Sequence, residues 1–379
     1  MNKKISKYKD SYYMRMAISL ASRGTGKVSP NPRVGAVIVK DDEIVGLGWH
    51  KQWGGNHAEV EALVIAGEKA RGSTVYVNLE PCSHYGKTPP CAPRLVEAGV
   101  NRVVVALVDP NEKVNGKGIN ILREAGIAVD VGVEKERATW LNRGFVKRVK
   151  TGKPWVILKA AITADGNIAM EDGYSKWITN YFSRTAAHLL RAECDAVLVG
   201  AGTVMQDDPR LNVRNAPGES PLKVVLDSKF RIPTNSKLFE DGKAIICGSA
   251  PVPVSKGGCF SLLKGANDGS AQMRKIRARE DGMVDLEETL NMLGQMGVNY
   301  LLVEGGSSVF SDFISRKLFD EVSLFVNPSF IGKGIRMSDK INVSALEHRI
   351  GFKIIRTSIL EGDIWIEGVS ECSQALLKM

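Results

Sequence analysis

Nothing in this sequence is built to sit in a lipid bilayer. No apolar run reaches the ~18 residues needed to span one. The opening stretch, Met1 to Lys9, is basic and polar with no apolar centre, so it does not read as a secretion signal. Cysteine is scarce: Cys82, Cys91, Cys194, Cys247, Cys259 and Cys372 are spread over 379 residues. That density excludes the disulfide framework of small secreted proteins. A cytoplasmic protein without a membrane partner is the expectation. There is no internal repeat. There is also no Gly-x-Gly-x-x-Gly fingerprint of a dinucleotide-binding βαβ unit, and Gly200-Ala201-Gly202-Thr203-Val204-Met205 falls short of it.

Apolar residues make up 44% and charged residues 25%, ordinary for a globular chain long enough for two or three domains. The net charge of +9 is uneven: residues 1–150 hold 24 Lys and Arg against 15 Asp and Glu, and the remainder 27 against 27. Much of the excess sits at Lys3, Lys4, Lys7 and Lys9 and at Arg143, Lys147, Arg148 and Lys150. Single-strand binders interleave such charge with aromatics, and no such stripe is present. A solvated tail and a basic linker are expected, with no nucleic-acid partner.

The chain is organised around residues 57 to 91. His57-Ala58-Glu59 opens the stretch, and Pro81-Cys82-Ser83-His84-Tyr85-Gly86-Lys87-Thr88-Pro89-Pro90-Cys91 closes it. One imidazole and two thiols can hold zinc and leave its fourth position open, the ligand count of a catalytic site. Glu59 lies two residues beyond His57, where it can move protons beside the metal without binding it. Zinc deaminases carry His-x-Glu and then Pro-Cys-x-x-Cys; here eight residues separate the cysteines. A structural zinc would need a fourth ligand. His84 is the sole candidate, and its place between the cysteines favours a substrate contact.

Periodicity predicts a helix from Tyr12 to Arg23, a hairpin over Val34–Val39 and Glu43–Trp49, and a helix over His57–Ala70 with Ala58, Ala62, Leu63, Ile65 and Ala66 on its apolar side. Strands and helices then alternate through Val133, an α/β sandwich around one mixed sheet. A boundary falls near Lys150-Thr151-Gly152-Lys153-Pro154, giving domains at 1–150 and 151–379. The second half restarts with a strand at Trp155–Ala161. Its segment from Gly248 to Arg279 is expected to be loop-like. Asp165-Gly166, Gly200-Ala201-Gly202-Thr203, Asp227-Ser228 and Glu304-Gly305-Gly306-Ser307-Ser308 each follow a predicted strand, so they can line one crevice for a nucleotide. Gly-Gly turns are common, and alone the last motif says little.

Both halves together resemble the bifunctional riboflavin-biosynthesis family, a pyrimidine deaminase fused to a reductase. The resemblance rests on Pro30-Asn31-Pro32-Arg33-Val34-Gly35-Ala36-Val37, on the two zinc motifs with their long spacing, and on Asp165-Gly166 with Ser175-Lys176-Trp177-Ile178-Thr179. Gly202-Thr203-Val204, Asp207-Asp208-Pro209 and Val303-Glu304-Gly305-Gly306 continue it. It implies a cytidine-deaminase-like α/β/α sandwich followed by a dihydrofolate-reductase-like α/β domain. It also implies zinc-dependent deamination of 2,5-diamino-6-(5-phosphoribosylamino)pyrimidin-4-one, then NADPH reduction of the ribosyl side chain to ribityl. A homo-oligomer acting on a phosphorylated small molecule is the expectation for partners.

Residue by residue, the resemblance implies zinc on His57, Cys82 and Cys91, with Glu59 as the catalytic proton carrier. It implies substrate contacts at Asn31, His50, His84 and Lys87 in the first half. In the second half it implies substrate contacts at Lys159, Ser175, Arg191, Leu211, Arg214 and Glu304, with Arg191 and Arg214 suited to a phosphate clamp. NADPH contacts are implied at Ile162, Trp177, Thr203, Asp207, Ser228, Gly306, Ser307 and Ser308. Ile162 is larger than the residue expected there, and Trp177 has a core position as its plainer reading. Two rivals remain. A nucleic-acid base deaminase predicts the short cysteine spacing and a basic groove. A zinc-stabilised binding protein predicts loss of Glu59.

Overall fold

A computed structural model describes residues 3–85, 89–112, 114–251 and 271–378. The chain forms two compact units, divided between Gly152 and Lys153.

The first unit runs α1 (Lys3–Ser22), β1 (Gly35–Lys40), β2 (Glu43–Trp49), α2 (Ala58–Ala66), β3 (Thr74–Val77), α3 (Cys91–Glu97), β4 (Arg102–Val105), α4 (Lys117–Glu124), β5 (Ala128–Val131), α5 (Lys135–Leu141) and α6 (Arg143–Thr151). Its sheet has the order β2-β1-β3-β4-β5. β1 is antiparallel to both neighbours, and β3, β4 and β5 are parallel. Side chains alternate across a strand, and both faces here are covered. Ala36 and Ile38 of β1 join Ala58, Ala62, Ala92, Leu95 and Leu122 on one side. Val37 and Val39 join Met14, Ala17, Phe145 and Val146 on the other. The result is the mixed-sheet α/β/α sandwich.

α2 lies unusually close to the sheet. A side chain at Gly48 would meet the Ala58 carbonyl at 2.1 Å, and one at Gly46 the Ala62 carbonyl at 2.4 Å. The helix therefore packs through its alanines. Ile65, expected on the apolar side, is 65% exposed, and Val64 beside it is 75% exposed. Counting apolar residues misplaces Ile65 because this contact admits only small side chains.

The second unit runs β6 (Trp155–Thr163), β7 (Asn167–Met170), α7 (Tyr181–Glu193), β8 (Ala196–Gly200), α8 (Ala201–Asp207), β9 (Leu222–Leu226), β10 (Ala244–Gly248), β11 (Gln272–Lys275), α9 (Leu286–Gln295), β12 (Tyr300–Gly305), α10 (Ser307–Ser315), β13 (Glu321–Asn327), β14 (Gly334–Arg336), β15 (Phe352–Leu360), β16 (Asp363–Ser370) and α11 (Glu371–Lys378). Nine strands form one sheet in the order β11-β10-β9-β8-β12-β6-β13-β16-β15. Seven are parallel, and the β13-β16-β15 edge is antiparallel. β7 and β14 make a separate ribbon.

The segment from Gly248 to Arg279 is not wholly loop. Its end forms β11, parallel to β10, and residues 252–270 lie outside the described residues. β11 reads as loop because it is an exposed polar edge strand. The strand order turns back on itself around β8, β12 and β6, and open α/β sheets bind ligands at the carboxyl ends of strands where this happens.

Two candidate active sites

In the first unit the sequence builds a three-residue cluster from two helix starts and a strand end. His57 is the N-cap of α2, in extended conformation, and places Glu59 in the first turn. Cys91 is the first residue of α3 behind the extended Pro90. Cys82 sits on the loop that leaves β3, and its carbonyl accepts the Ala92 N–H at 3.1 Å.

His57 Nδ1 lies 3.4 Å from Cys82 Sγ and 3.3 Å from Cys91 Sγ, and all three ligand atoms fall within 4.8 Å of one another. Tetrahedral zinc with ordinary Zn–S and Zn–N lengths needs an N···S edge of about 3.5 Å. The donor set therefore fits zinc in type and spacing. No further His, Cys, Asp or Glu joins the cluster among the described residues, so the fourth position stays open. Hydrogen bonding from Cys91 and His57 holds the Cys82 thiol well below its ordinary range, against the effect of burial. Glu59 is 3% exposed, and burial pushes its carboxyl up to about 7, with the Cys82 charge reinforcing the shift.

A cavity of about 250 Å³ opens on this cluster, with Asn31, His50 and His84 in its wall. His50 Nδ1 lies 2.9 Å from the Asn56 carbonyl, which can only accept, so that nitrogen carries the proton. His50 Nε2 then accepts from Asn31 Nδ2 at 3.1 Å. Burial lowers the His50 pKa, which keeps the ring neutral in this role. The chain of bonds fixes the Asn31 amide, with one Nδ2–H given to His50 and Oδ1 turned to accept a ligand's N–H.

The second unit holds a larger crevice, of about 1010 Å³, at the carboxyl ends of β8, β12 and β6. Val303 pairs with Leu158 across the parallel strands, which sets Glu304 beside Lys159. Glu304 takes Arg191 bidentately, Nε to Oε1 at 2.6 Å and Nη2 to Oε2 at 2.7 Å, and Arg191 Nη1 donates to the Asn212 carbonyl at 3.0 Å. Burial alone would raise the Glu304 carboxyl, but Arg191 and Lys159 outweigh it and hold it near 2. Burial lowers Lys159, with Glu304 opposing and Arg191 adding to the shift.

At the end of β12, Gly305 and Gly306 take φ of 143° and 40°, where a side chain would be strained. They lead into the first turn of α10. There Ser307 Oγ is buried without a hydrogen-bond partner. Free amides, small residues and an unsatisfied hydroxyl make a fitting cradle for a nucleotide phosphate.

The family follows from comparison with known proteins. A family model described as RibD C-terminal domain matches residues 154–359. One described as the cytidine and deoxycytidylate deaminase zinc-binding region matches residues 7–107. The riboflavin biosynthesis protein RibD of Aquifex aeolicus is 40% identical over 365 residues, which cover 94% of this chain and 97% of that protein. The chain belongs to the RibD family.

Two solved RibD-type structures agree in fold. Acinetobacter baumannii RibD is 38% identical, with 96% of this chain and 99% of that chain covered and a TM-score of 0.87. A diaminohydroxyphosphoribosylaminopyrimidine deaminase/5-amino-6-(5-phosphoribosylamino)uracil reductase from Thermotoga maritima is 34% identical, with the same coverage and a TM-score of 0.85. Like its family, the chain joins a cytidine-deaminase-like domain to a reductase domain of the dihydrofolate-reductase-like α/β type. The reductase part implies a nicotinamide cofactor.

Most residues singled out from the sequence converge. Asn31, His50, His57, Glu59, Cys82 and His84 share the first cavity or its cluster. His84 lines the cavity and is not part of the metal cluster. Lys87 lies outside the described residues. Lys159, Ser175, Trp177, Arg191, Thr203, Asp207, Leu211, Arg214, Ser228, Glu304, Gly306, Ser307 and Ser308 line the second. Trp177 is 65% exposed with the Arg184 guanidinium 4.6 Å from its ring, so it is no core residue.

Ile162 is the exception: it packs against the hydrophobic core, and Ala160 and Ala161 line the crevice instead. Asp165 and Asp227, also expected at the crevice, hold turns. Asp165 accepts Gly332 N–H at 2.9 Å, and Asp227 accepts Ile232 N–H at 2.9 Å.

Sequence reasoning missed Glu80, Asp109 and Asn111 in the first unit and His188 in the second. Glu80 is buried and accepts four backbone N–H groups, from Asp109 (3.2 Å), Gly116 (2.9 Å), Gly118 (3.0 Å) and Ile119 (3.3 Å). It clasps the 109–119 segment two residues before Cys82. The one available signal was its place in Glu80-Pro81-Cys82.

Proposed function

We propose that this chain catalyses two consecutive steps of riboflavin biosynthesis. Residues 1–152 would deaminate 2,5-diamino-6-(5-phosphoribosylamino)pyrimidin-4-one. Residues 153–379 would reduce the ribosyl side chain of the product to ribityl with NADPH. The observation that carries the reading is the convergence of His57, Cys82 and Cys91 around one point, with Glu59 buried beside it and a polar cavity in front.

Zinc bound by His57, Cys82 and Cys91 would supply a water acidified toward a pKa of about 7. Glu59 is the group placed to take the proton from that water and deliver it to a ring nitrogen and then to the departing ammonia. Asn31, with its amide fixed by His50, holds the polar edge of the pyrimidine. His84 supports the ribose phosphate side, together with Lys87. The eight residues between the cysteines thus carry substrate-reading groups, which favours a free phosphorylated pyrimidine over a nucleic-acid base.

In the second unit, a bound nicotinamide supplies hydride. Ser307, Ser308 and the free amides at the start of α10 support its phosphates, and Thr203, Asp207, Trp177 and Ser228 its remaining groups. Arg231 and Lys237, which line the same crevice beside Asp227 and Asp208, are the cations offered to the additional phosphate that distinguishes NADPH from NADH. Lys159 and Glu304 orient the sugar chain by donating to and accepting from its hydroxyls. Arg191 acts through Glu304, because its paired N–H groups are already taken, and Arg214 is the arginine left for the substrate's phosphate.

Replacing Glu59 tests the first step. Glu59→Gln keeps shape and hydrogen-bonding capacity but cannot carry the proton. It should retain a full zinc complement while ammonia release from the diaminopyrimidine falls by at least a hundredfold, the upper range of general acid–base contributions being ~10⁴. Zinc-loaded variant protein with near-normal turnover would remove Glu59 from the chemistry.

A further inference from the structure

His188 is buried on α7, three residues before Arg191 and so on the same helix face, and it lines the reductase crevice. Its Nδ1 accepts the Arg214 backbone N–H at 3.3 Å. A nitrogen that accepts carries no proton, so the neutral ring must hold its proton on Nε2. Burial, with the Arg191 and Arg214 charges, lowers the His188 pKa to about 4 and keeps the ring neutral at physiological pH. No other hydrogen bond of the ring is formed among the described residues, so Nε2–H is a donor still to be used.

The surroundings say what it would be used for. Lys159, Arg191 and Arg214 gather at this end of the crevice against the single carboxylate of Glu304. The guanidinium of Arg214 has only the Asn212 side chain as partner, at 3.2 Å, and no carboxylate among the described residues. The excess positive charge suits a phosphate dianion. A neutral donor adds a hydrogen bond there without a further buried charge. The loop that brings Arg214 in is under constraint, since Leu211 is buried in the left-handed region at φ 51°. The His188–Arg214 bond is one of the contacts that tie that loop to α7.

We infer that His188 is a specificity-determining residue of the reductase site, fixing the Leu211–Arg214 loop through Nδ1 and donating Nε2–H to the substrate's phosphomonoester. The inference rests on the reading that this unit reduces a phosphorylated substrate.

The test uses the full chain and three substitutions. His188→Phe and His188→Met fill the space without a donor or acceptor, and His188→Gln keeps one of each on a single planar amide. Two readouts are taken: NADPH oxidation with the deaminated pyrimidine, and calorimetric binding of ribose 5-phosphate with ribose as the uncharged control. Loss of one hydrogen bond to a charged group corresponds to about tenfold or more in affinity. His188→Phe should raise KM for the pyrimidine and Kd for ribose 5-phosphate by that factor, with kcat and the KM for NADPH far less affected. His188→Gln should recover most of the loss. His188→Met serves if the Phe variant melts early.

The inference is overturned if a well-folded donor-free variant binds ribose 5-phosphate as the parent does. It is equally overturned if Gln is as impaired as Phe, or if the loss falls on NADPH. A parent chain that binds ribose 5-phosphate but oxidises no NADPH would instead defeat the underlying reading and leave the binding comparison valid.

Discussion

Glu304 keeps its charge in a buried site only because Arg191 grips both of its oxygens and Lys159 lies beside it. A carboxyl held near 2 against an ordinary value of about 4.3 stabilises the folded state at any pH above its unfolded value. That contribution is lost as pH falls from about 4 toward 2. Glu304→Gln removes it and leaves Arg191 buried without its partner, at a cost of about 3–5 kcal/mol. The melting temperature of the variant should therefore lie well below that of the parent at pH 7, and the gap should narrow below pH 4. A gap of the same size at pH 7 and pH 3 would show that the ion pair is not its cause.

The resemblance named Arg191 and Glu304 from sequence but could not pair them, because 113 positions separate them and no local pattern encodes the contact. His188 was illegible for a related reason. A lone His on a helix face has no motif, and its tautomer is set by the Arg214 backbone 26 positions away.

At the scale of elements, the zinc cluster depends on how the loop after β3 is seated. Glu80 satisfies four N–H groups of the 109–119 segment, and Gly118 lets that segment approach: a side chain there would lie 1.9 Å from the Pro81 carbonyl. Pro81 is the neighbour of Cys82, so clasp and metal ligand move together. Glu80→Gln turns one acceptor oxygen into a donor facing N–H groups, at a cost of about 2–4 kcal/mol for the unpaired buried groups. Gly118→Ala should act at the same place through the carbonyl clash. Both variants should hold zinc less tightly in competition with a chelator and melt earlier, while His84→Ala, a cavity-wall change, should keep its zinc. Equal zinc retention by Glu80→Gln and the parent would separate the clasp from the metal.

Elements with strong periodicity were readable. The β1–β2 hairpin, α2 and β6 fall close to where alternation and helical spacing place them. The misplaced details share a cause. Ile65 faces out because Gly46 and Gly48 draw α2 in by its alanines, and β11 looked like loop because an exposed edge strand needs no apolar side chains. Both follow from tertiary partners rather than from local sequence.

At the scale of the whole molecule, each unit has its own core and its own site. The clusters packed on the first sheet are built from residues such as Ala58, Leu95 and Phe145, and the cluster of the second unit from residues such as Val156, Leu198 and Phe310. All three zinc ligands belong to the first unit, and none lines the crevice of the second. Removing the metal should therefore divide the two activities. With three protein ligands the fourth position is open to an incoming chelator, so a strong one should empty the site without denaturant.

Ammonia release should then fall in proportion to the zinc lost and return on adding zinc. NADPH oxidation supplied with the deaminated pyrimidine should stay within about twofold of its starting rate, since no step of the reductase site needs the metal. Calorimetry should give the same division, with the transition of the first unit shifting down on chelation and that of the second unchanged. If NADPH oxidation were lost together with zinc, the two sites would be coupled. The assignment of one reaction to each unit would then have to be replaced by a scheme in which the first unit's metal supports both.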